Sequence, residues 1–182
     1  MIFLWIGFQR QENWLPDRIG TYPVRAISVE EVEQGVLEQM PAEEEQVALI
    51  RESDTVNVRM EKYRSWKKCC KNLRILPIGS ETVMSGLGNV SAEDVETGNA
   101  YWYYGGRENR ENLFQWLLYR YAGGRCPAPP RVMPADGIVA VGGEEIYADW
   151  ETAKQAGILP GEGPKVGLLL HRSLWAQESL KP

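Results

Sequence analysis

Ile75-Leu76-Pro77-Ile78-Gly79 is a short apolar run of strand character closed by a glycine. It follows a segment, 61–73, in which Tyr63, Trp66, Cys70 and Leu73 recur at spacings of three and four, the period of an amphipathic helix. Ahead of that segment Val56-Asn57-Val58-Arg59-Met60 alternates as a short strand does. Strand, helix and strand in this order are the βαβ signature of a sheet with crossover helices. The expected fold class is therefore α/β.

Working back toward the N-terminus, residues 2–8 and 22–28 read as two apolar strands around a polar loop containing Pro16 and Gly20. Ser28-Val29-Glu30-Glu31 is a capping box, in which the serine accepts from the N3 amide and Glu31 reaches back. The helix it opens carries Val32, Val36, Leu37 and Met40 on one face and ends at Pro41, with Gly35 as its weak point. After the acidic Glu43-Glu44-Glu45, the run Val47-Ala48-Leu49-Ile50 reads as the end of another helix.

Toward the C-terminus, Ser91-Ala92-Glu93-Asp94 starts a helix that runs to Tyr101-Trp102-Tyr103-Tyr104 and is broken by Gly105-Gly106. A second helix, from about 108 to 122, buries Leu113, Phe114, Leu117, Leu118 and Tyr121 before Gly123-Gly124 stops it. The proline-rich 125–136 segment is an ordered surface loop, and 147–156 a short helix. Val166-Gly167-Leu168-Leu169-Leu170 has the continuous apolar character of a strand covered on both faces. It follows Gly161-Glu162-Gly163-Pro164, a break of the kind that opens a new βα unit. The expected organisation is an α/β domain over 1–160, with 161–182 as a linker and the first strand of a following, missing domain.

Composition narrows the function classes. Twenty basic against 25 acidic residues leave a net charge of −5, so the broad basic footprint of a nucleic-acid binder is missing. Arg59, Lys62, Arg64, Lys67, Lys68 and Lys71 do cluster, but at helical spacing, which describes a solvated helix face. No stretch reaches the roughly 20 apolar residues of a membrane span. The apolar start Met1–Phe8 lacks a basic leader and a small-residue cleavage site, so a buried strand is expected there. Cys69, Cys70 and Cys126 form no even-numbered framework, which fits a reducing cytoplasm.

Chemistry is sparse. The single histidine, His171, leaves no His pair for a metal and no Cys/His cluster with zinc spacing. No G-x-S-x-G positions a serine near it. Gly86-Leu87-Gly88 lacks the last glycine of a dinucleotide fingerprint, and Gly142-Gly143-Glu144-Glu145 lacks the Lys-Ser/Thr of a phosphate loop, so both read as turns. Seven tryptophans and eight tyrosines are enough to build a core and still line a site for a flat ligand. No complete catalytic set emerges.

Two blocks carry a resemblance. Tyr104-Gly105-Gly106-Arg107-Glu108-Asn109, followed by a helix beginning Asn112-Leu113-Phe114, resembles the "Y-x-G-G-x-E-N" step of the CobN/magnesium chelatase family, the large subunits of cobaltochelatase and magnesium chelatase. Lys165-Val166-Gly167-Leu168-Leu169-Leu170-His171-Arg172-Ser173-Leu174-Trp175 is similar to that family's "VGLLFYRSHW" strand. Glu52-Ser53-Asp54 with Val56–Arg59, and Tyr147-Ala148-Asp149-Trp150-Glu151, fall in the family's order as well. Leu174 replaces the family's histidine after Arg-Ser, His171 replaces an aromatic residue, and the family's "GIY-H-P" stretch survives only as Gly137-Ile138-Val139-Ala140.

The resemblance implies ATP-dependent insertion of cobalt or magnesium into a tetrapyrrole, as in cobalamin or chlorophyll-type biosynthesis, a ligase-type reaction. It implies a tetrapyrrole and a divalent metal as substrates, ATP used by AAA+ motor subunits, and the remainder of the large subunit as partner. This chain would be an N-terminal fragment or split portion, not active by itself. Gly105, Gly106, Glu108 and Asn109 are the expected turn or ligand-adjacent residues, and His171, Arg172, Ser173 and Trp175 the expected domain junction. A stand-alone interaction or ligand-binding module is the rival reading, docking through Tyr101–Tyr104 or adding a strand at 165–171. An unrelated small α/β enzyme comes third.

Overall fold

The structure is a computed structural model that describes residues 1–7, 15–51, 57–79, 86–133, 136–139 and 145–159, with the backbone alone at 57 and 58. At its centre lie two strands, β1 (Ile2–Ile6) and β4 (Gln46–Ile50). The full sheet has the order β2-β3-β1-β4-β5, where β2 is Arg18–Ile19, β3 Tyr22–Ile27 and β5 Leu73–Pro77. β3, β1, β4 and β5 are parallel, and β2 closes an antiparallel hairpin on β3.

Side-chain alternation divides these strands between two cores. Leu4, Ile6, Ala48, Ile50 and Ile75 face one side and meet Val32, Leu37, Met60, Tyr63 and Trp66. These come from α1 (Val29–Glu33), a 3₁₀ turn (Val36–Gln39) and α2 (Asn57–Cys69). Phe3, Trp5, Val47, Leu49, Leu76 and Ile78 face the other side, against Tyr101, Leu113, Trp116 and Leu117. Those belong to α3 (Ala92–Tyr104) and α4 (Gly106–Ala122). Helices thus cover both faces, which is why the central strands read as unbroken apolar runs. A short α5 (Trp150–Gln155), capped by Asp149, follows an isolated bridge between Ile138 and Tyr147.

Several expectations are corrected. Val47–Ile50 is not a helix end but the core of β4, since four consecutive apolar residues carry no period that separates helix from strand. The predicted strand 56–60 is helical from Asn57. Met60, Tyr63, Trp66 and Cys70 are all buried, so the helical spacing extends back to Met60, while Leu73 already lies in β5. The βαβ unit therefore exists, but as β4–α2–β5. The helix expected from 29 to Pro41 stops at Glu33: Gly35 sits at φ +87° and restarts the chain as a 3₁₀ turn. The capping box itself forms, with Ser28 Oγ accepting from Glu31 N–H at 3.3 Å and Ser28 N–H donating to Glu31 at 2.8 Å.

Among the described residues the outer edge of β5 has no neighbouring strand, yet most of its outward backbone groups are bonded. Odd residues point outward, so Pro77, which has no N–H to give, is tolerated there. Asn89 Oδ1 accepts from Ile75 N–H at 2.6 Å, Asn89 Nδ2 donates to Leu73 O at 2.7 Å, and Asn89 N–H donates to Ile75 O at 3.3 Å. Asn99 Nδ2 donates to Pro77 O at 2.9 Å. Two asparagines therefore occupy the edge as a strand would, which denies it to other chains.

Candidate functional site

The Gly105-Gly106 step forms the corner between α3 and α4. Gly105 has φ 61° and ψ −160°, a region that only glycine occupies without strain, and Gly106 follows at φ +78°. With only Gly105 between them, the two helices need a clamp, and Asn109 provides it. Its side chain is 1% exposed. Nδ2 donates to Gly105 O at 2.9 Å and Arg131 O at 2.8 Å, while Oδ1 accepts from Arg131 N–H at 2.7 Å. Glu108 pairs with Arg131 at 3.1 Å, and Tyr101 Oη donates to Ala128 O at 2.6 Å. The described part of the proline-rich loop is thereby held along the helical corner.

Of the predicted site residues, the structure brings Gly105, Gly106, Glu108 and Asn109 together at this corner. His171, Arg172, Ser173 and Trp175 lie outside the described residues, as does the predicted strand 166–170. Tyr101–Tyr104 does not form one aromatic surface. Helical rotation buries Tyr101, places Trp102 under the Arg51 guanidinium at 5.2 Å, and leaves Tyr103 64% exposed.

The carboxyl edge of the sheet is the second candidate. The segment after β1 reaches β3 with Ile19 on the α3/α4 face, whereas β4 continues through α2 on the opposite face. Adjacent strands β1 and β4 thus depart in opposite directions, the switch point at which open α/β sheets bind ligands. Gly7 N–H donates to Ile27 O, Arg51 N–H to Ile6 O and Ile78 N–H to Ile50 O, so the ladder continues past each strand end. A Cβ on Gly7 would meet Arg51 O at 1.9 Å, which makes glycine obligatory for this approach. Beside it, Gly79 N–H donates to Asn99 Oδ1 at 2.8 Å, and the open side of Gly79 faces Trp102 Nε1.

A polar groove of about 640 Å³ lies at the opposite edge, lined by Glu43, Glu45, Lys71, Arg74, Asp94, Arg120 and Tyr121 among others. Asp94, buried in the first turn of α3, accepts from Arg120 Nε at 2.5 Å and from Tyr121 Oη at 3.3 Å. Burial first, then the Asp94 carboxylate, push the Tyr121 phenol well above its ordinary range. Arg74 lies over the Tyr121 ring at 5.5 Å and reaches Glu45 at 3.6 Å. Three cations and three carboxylates line this groove and offset one another, so it selects no ligand charge.

The basic helix face is also internally partnered. Arg59 is buried against Glu33 at 2.7 Å, Lys62 reaches Glu38 at 3.7 Å, and Lys67 donates to Leu87 O at 2.8 Å in the expected Gly86–Gly88 turn. All three cysteines are free, and burial pushes the Cys70 thiol up. Among the described residues no three His, Cys, Asp or Glu side chains are grouped to hold a metal ion, and no helix is long and apolar enough to cross a membrane.

Sequence reasoning missed Asn89, Asn99 and the Arg51–Trp102 pair. Each joins residues more than a dozen positions apart, and no local pattern announces such a contact. Asp94 was visible only as part of a helix start.

The sequence model of the CobN/Magnesium Chelatase family matches residues 99–182. Both blocks that carried the resemblance, Tyr104–Asn109 and Lys165–Trp175, fall inside the matched range. Among solved structures, the "Catalytic Subunit of Cobaltochelatase from Mycobacterium tuberculosis" is similar at a TM-score of 0.48 and 15% sequence identity. The similarity covers 74% of this chain and 11% of that one. No curated protein matches.

Proposed function

We propose that this chain, whose residues 99–182 match the sequence model of the CobN/Magnesium Chelatase family, supplies the N-terminal α/β module of a chelatase-type large subunit. That subunit would hold a tetrapyrrole while cobalt or magnesium is inserted, with AAA+ motor subunits hydrolysing ATP in the cytoplasm. Residues 1–160 would form the module and 161–182 the passage into the next domain. The observation that carries this reading is the family match across the helical corner and the sequence beyond it.

Inserting a metal requires that the ion shed water and that two ring nitrogens lose protons. Those steps call for metal ligands and a base. Among the described residues no three His, Cys, Asp or Glu side chains are grouped to supply such ligands. The role proposed for this module is to position the ring or to join the body together.

Complementation tests the reading. A cobaltochelatase large subunit lacking its matching N-terminal segment is combined with this chain, the motor subunits, ATP, metal and a metal-free tetrapyrrole. Insertion is followed by the absorbance change of the ring. Restored insertion, which neither component gives separately, is expected. Failure to restore it, while the intact large subunit works under the same conditions, would overturn the proposal in favour of a stand-alone interaction module.

A further inference from the structure

We infer that the carboxyl edge of the sheet, at Arg51, Trp102 and Gly79, binds the acidic side chain of a planar ligand, which under the function proposed above is a carboxylate of the tetrapyrrole. Three independent features meet there. The strand order reverses between β1 and β4, the topology at whose carboxyl ends open α/β sheets take their ligands, and Arg51 follows β4 there. Arg51 is the first residue beyond β4, and its guanidinium lies 5.2 Å from the centre of the half-buried Trp102 ring. Gly79 terminates β5 with φ +82°, and an added Cβ would stand 3.6 Å from Trp102 Nε1 and 4.0 Å from Arg51 Cγ.

The chemistry follows from this arrangement. A guanidinium braced on an aromatic face loses little further freedom when it binds, and its planar fork suits a carboxylate in a bidentate pair. It carries five N–H donors, enough to serve an incoming anion beside protein partners. The Trp102 indole offers a flat apolar face next to that charge. Asn99 fixes the floor by accepting from Gly79 N–H and donating to Pro77 O, so the glycine and the ring keep their spacing. Acid beside flat ring is the pattern that this pair recognises.

The test is equilibrium dialysis of the whole chain against a metal-free porphyrin dicarboxylate and, separately, its dimethyl ester. Wild type, Arg51→Gln, Arg51→Lys and Trp102→Phe are compared, with thermal melts to show that each variant folds. Loss of one charge-assisted pair predicts that Arg51→Gln weakens the diacid by about 10- to 100-fold. The ester, which lacks the carboxylates, should bind weakly to wild type and be indifferent to the change. Arg51→Lys should recover part of the affinity, and Trp102→Phe should retain most of it. Equal diacid affinity in wild type and Arg51→Gln would overturn the inference, as would an absence of diacid binding by the wild-type chain. Either result leaves the chelatase reading to be decided by complementation, which does not require that this module contact the ring.

Discussion

Replacement of Asn109 by alanine should lower stability by about 3 kcal/mol without altering the rest of the fold. The native amide makes three hydrogen bonds to backbone groups, at 2.7, 2.8 and 2.9 Å. Each contributes a net of about 1 kcal/mol, and a group left buried and unpaired costs more. Arg131 is exposed, so water replaces part of what its backbone loses; Gly105 O, at the tight corner, is the group left least served. For a chain of this size about 3 kcal/mol lowers Tm by roughly 6–12 °C. Asn109→Asp should be no better at neutral pH, because it sets a carboxylate oxygen against the Gly105 and Arg131 carbonyls. Thermal unfolding followed by circular dichroism reads the effect. Limited trypsin digestion supplies a second measure, since cleavage after Arg125 and Arg131 should accelerate once the loop is released. If Asn109→Asp melted within 2 °C of wild type and the loop stayed resistant, the clamp would carry no stability and the account of this corner would be wrong.

Gly105→Val should unfold the corner outright, since φ 61° with ψ −160° is closed to a β-branched residue. Low soluble yield is the expected readout, and a native-like melt would show that the corner relaxes instead. Asn89→Ala strips two bonds from the β5 edge, a loss of about 2 kcal/mol. It should also make the protein associate as its concentration rises, detectable by light scattering; a strictly monomeric variant would show that the edge is protected by something else. Alkali should destabilise the protein through Tyr121. Its folded pKa is raised above the ordinary value near 10, so its contribution is present below pH 10 and is lost as pH rises beyond that. Tyr121→Phe should flatten this component of the pH–stability curve, and an unchanged slope would remove Tyr121 as its source.

Much of this fold was legible because local signals and the tertiary answer agree. Ser28 and Ser91 cap helices where their sequence contexts require it. Gly105-Gly106 and Gly123 stop helices at positive φ. Two of the failures have a common cause. Val47–Ile50 is apolar throughout because it is buried on both faces, and Val56–Met60 alternates only by the accident of Asn57 and Arg59. Five residues are too few to distinguish the periods when the face they turn inward is unknown. Arg59 shows this directly: it reads as the polar outward member of a strand, yet it is buried against Glu33, whose position depends on where α1 ends.

The site was less legible than the fold, since its parts depend on contacts between distant segments. The glycines and Asn109 could be singled out from their spacing, but the reason for the asparagine, a loop more than 20 residues away, could not. The same holds for the edge of β5, a different strand from the 165–171 segment of the rival reading, which lies outside the described residues. An interaction module that recruits a strand needs an open row of N–H and C=O groups. On β5 the outward carbonyls of Leu73, Ile75 and Pro77 and the Ile75 N–H are already bonded to Asn89 and Asn99. Adding a strand there would first break four hydrogen bonds, at a loss that the new ladder would only restore. A partner of this module therefore gains more from the carboxyl edge or the exposed Tyr103 than from β5. That asymmetry explains why two asparagines stand where a sixth strand would otherwise be free to join.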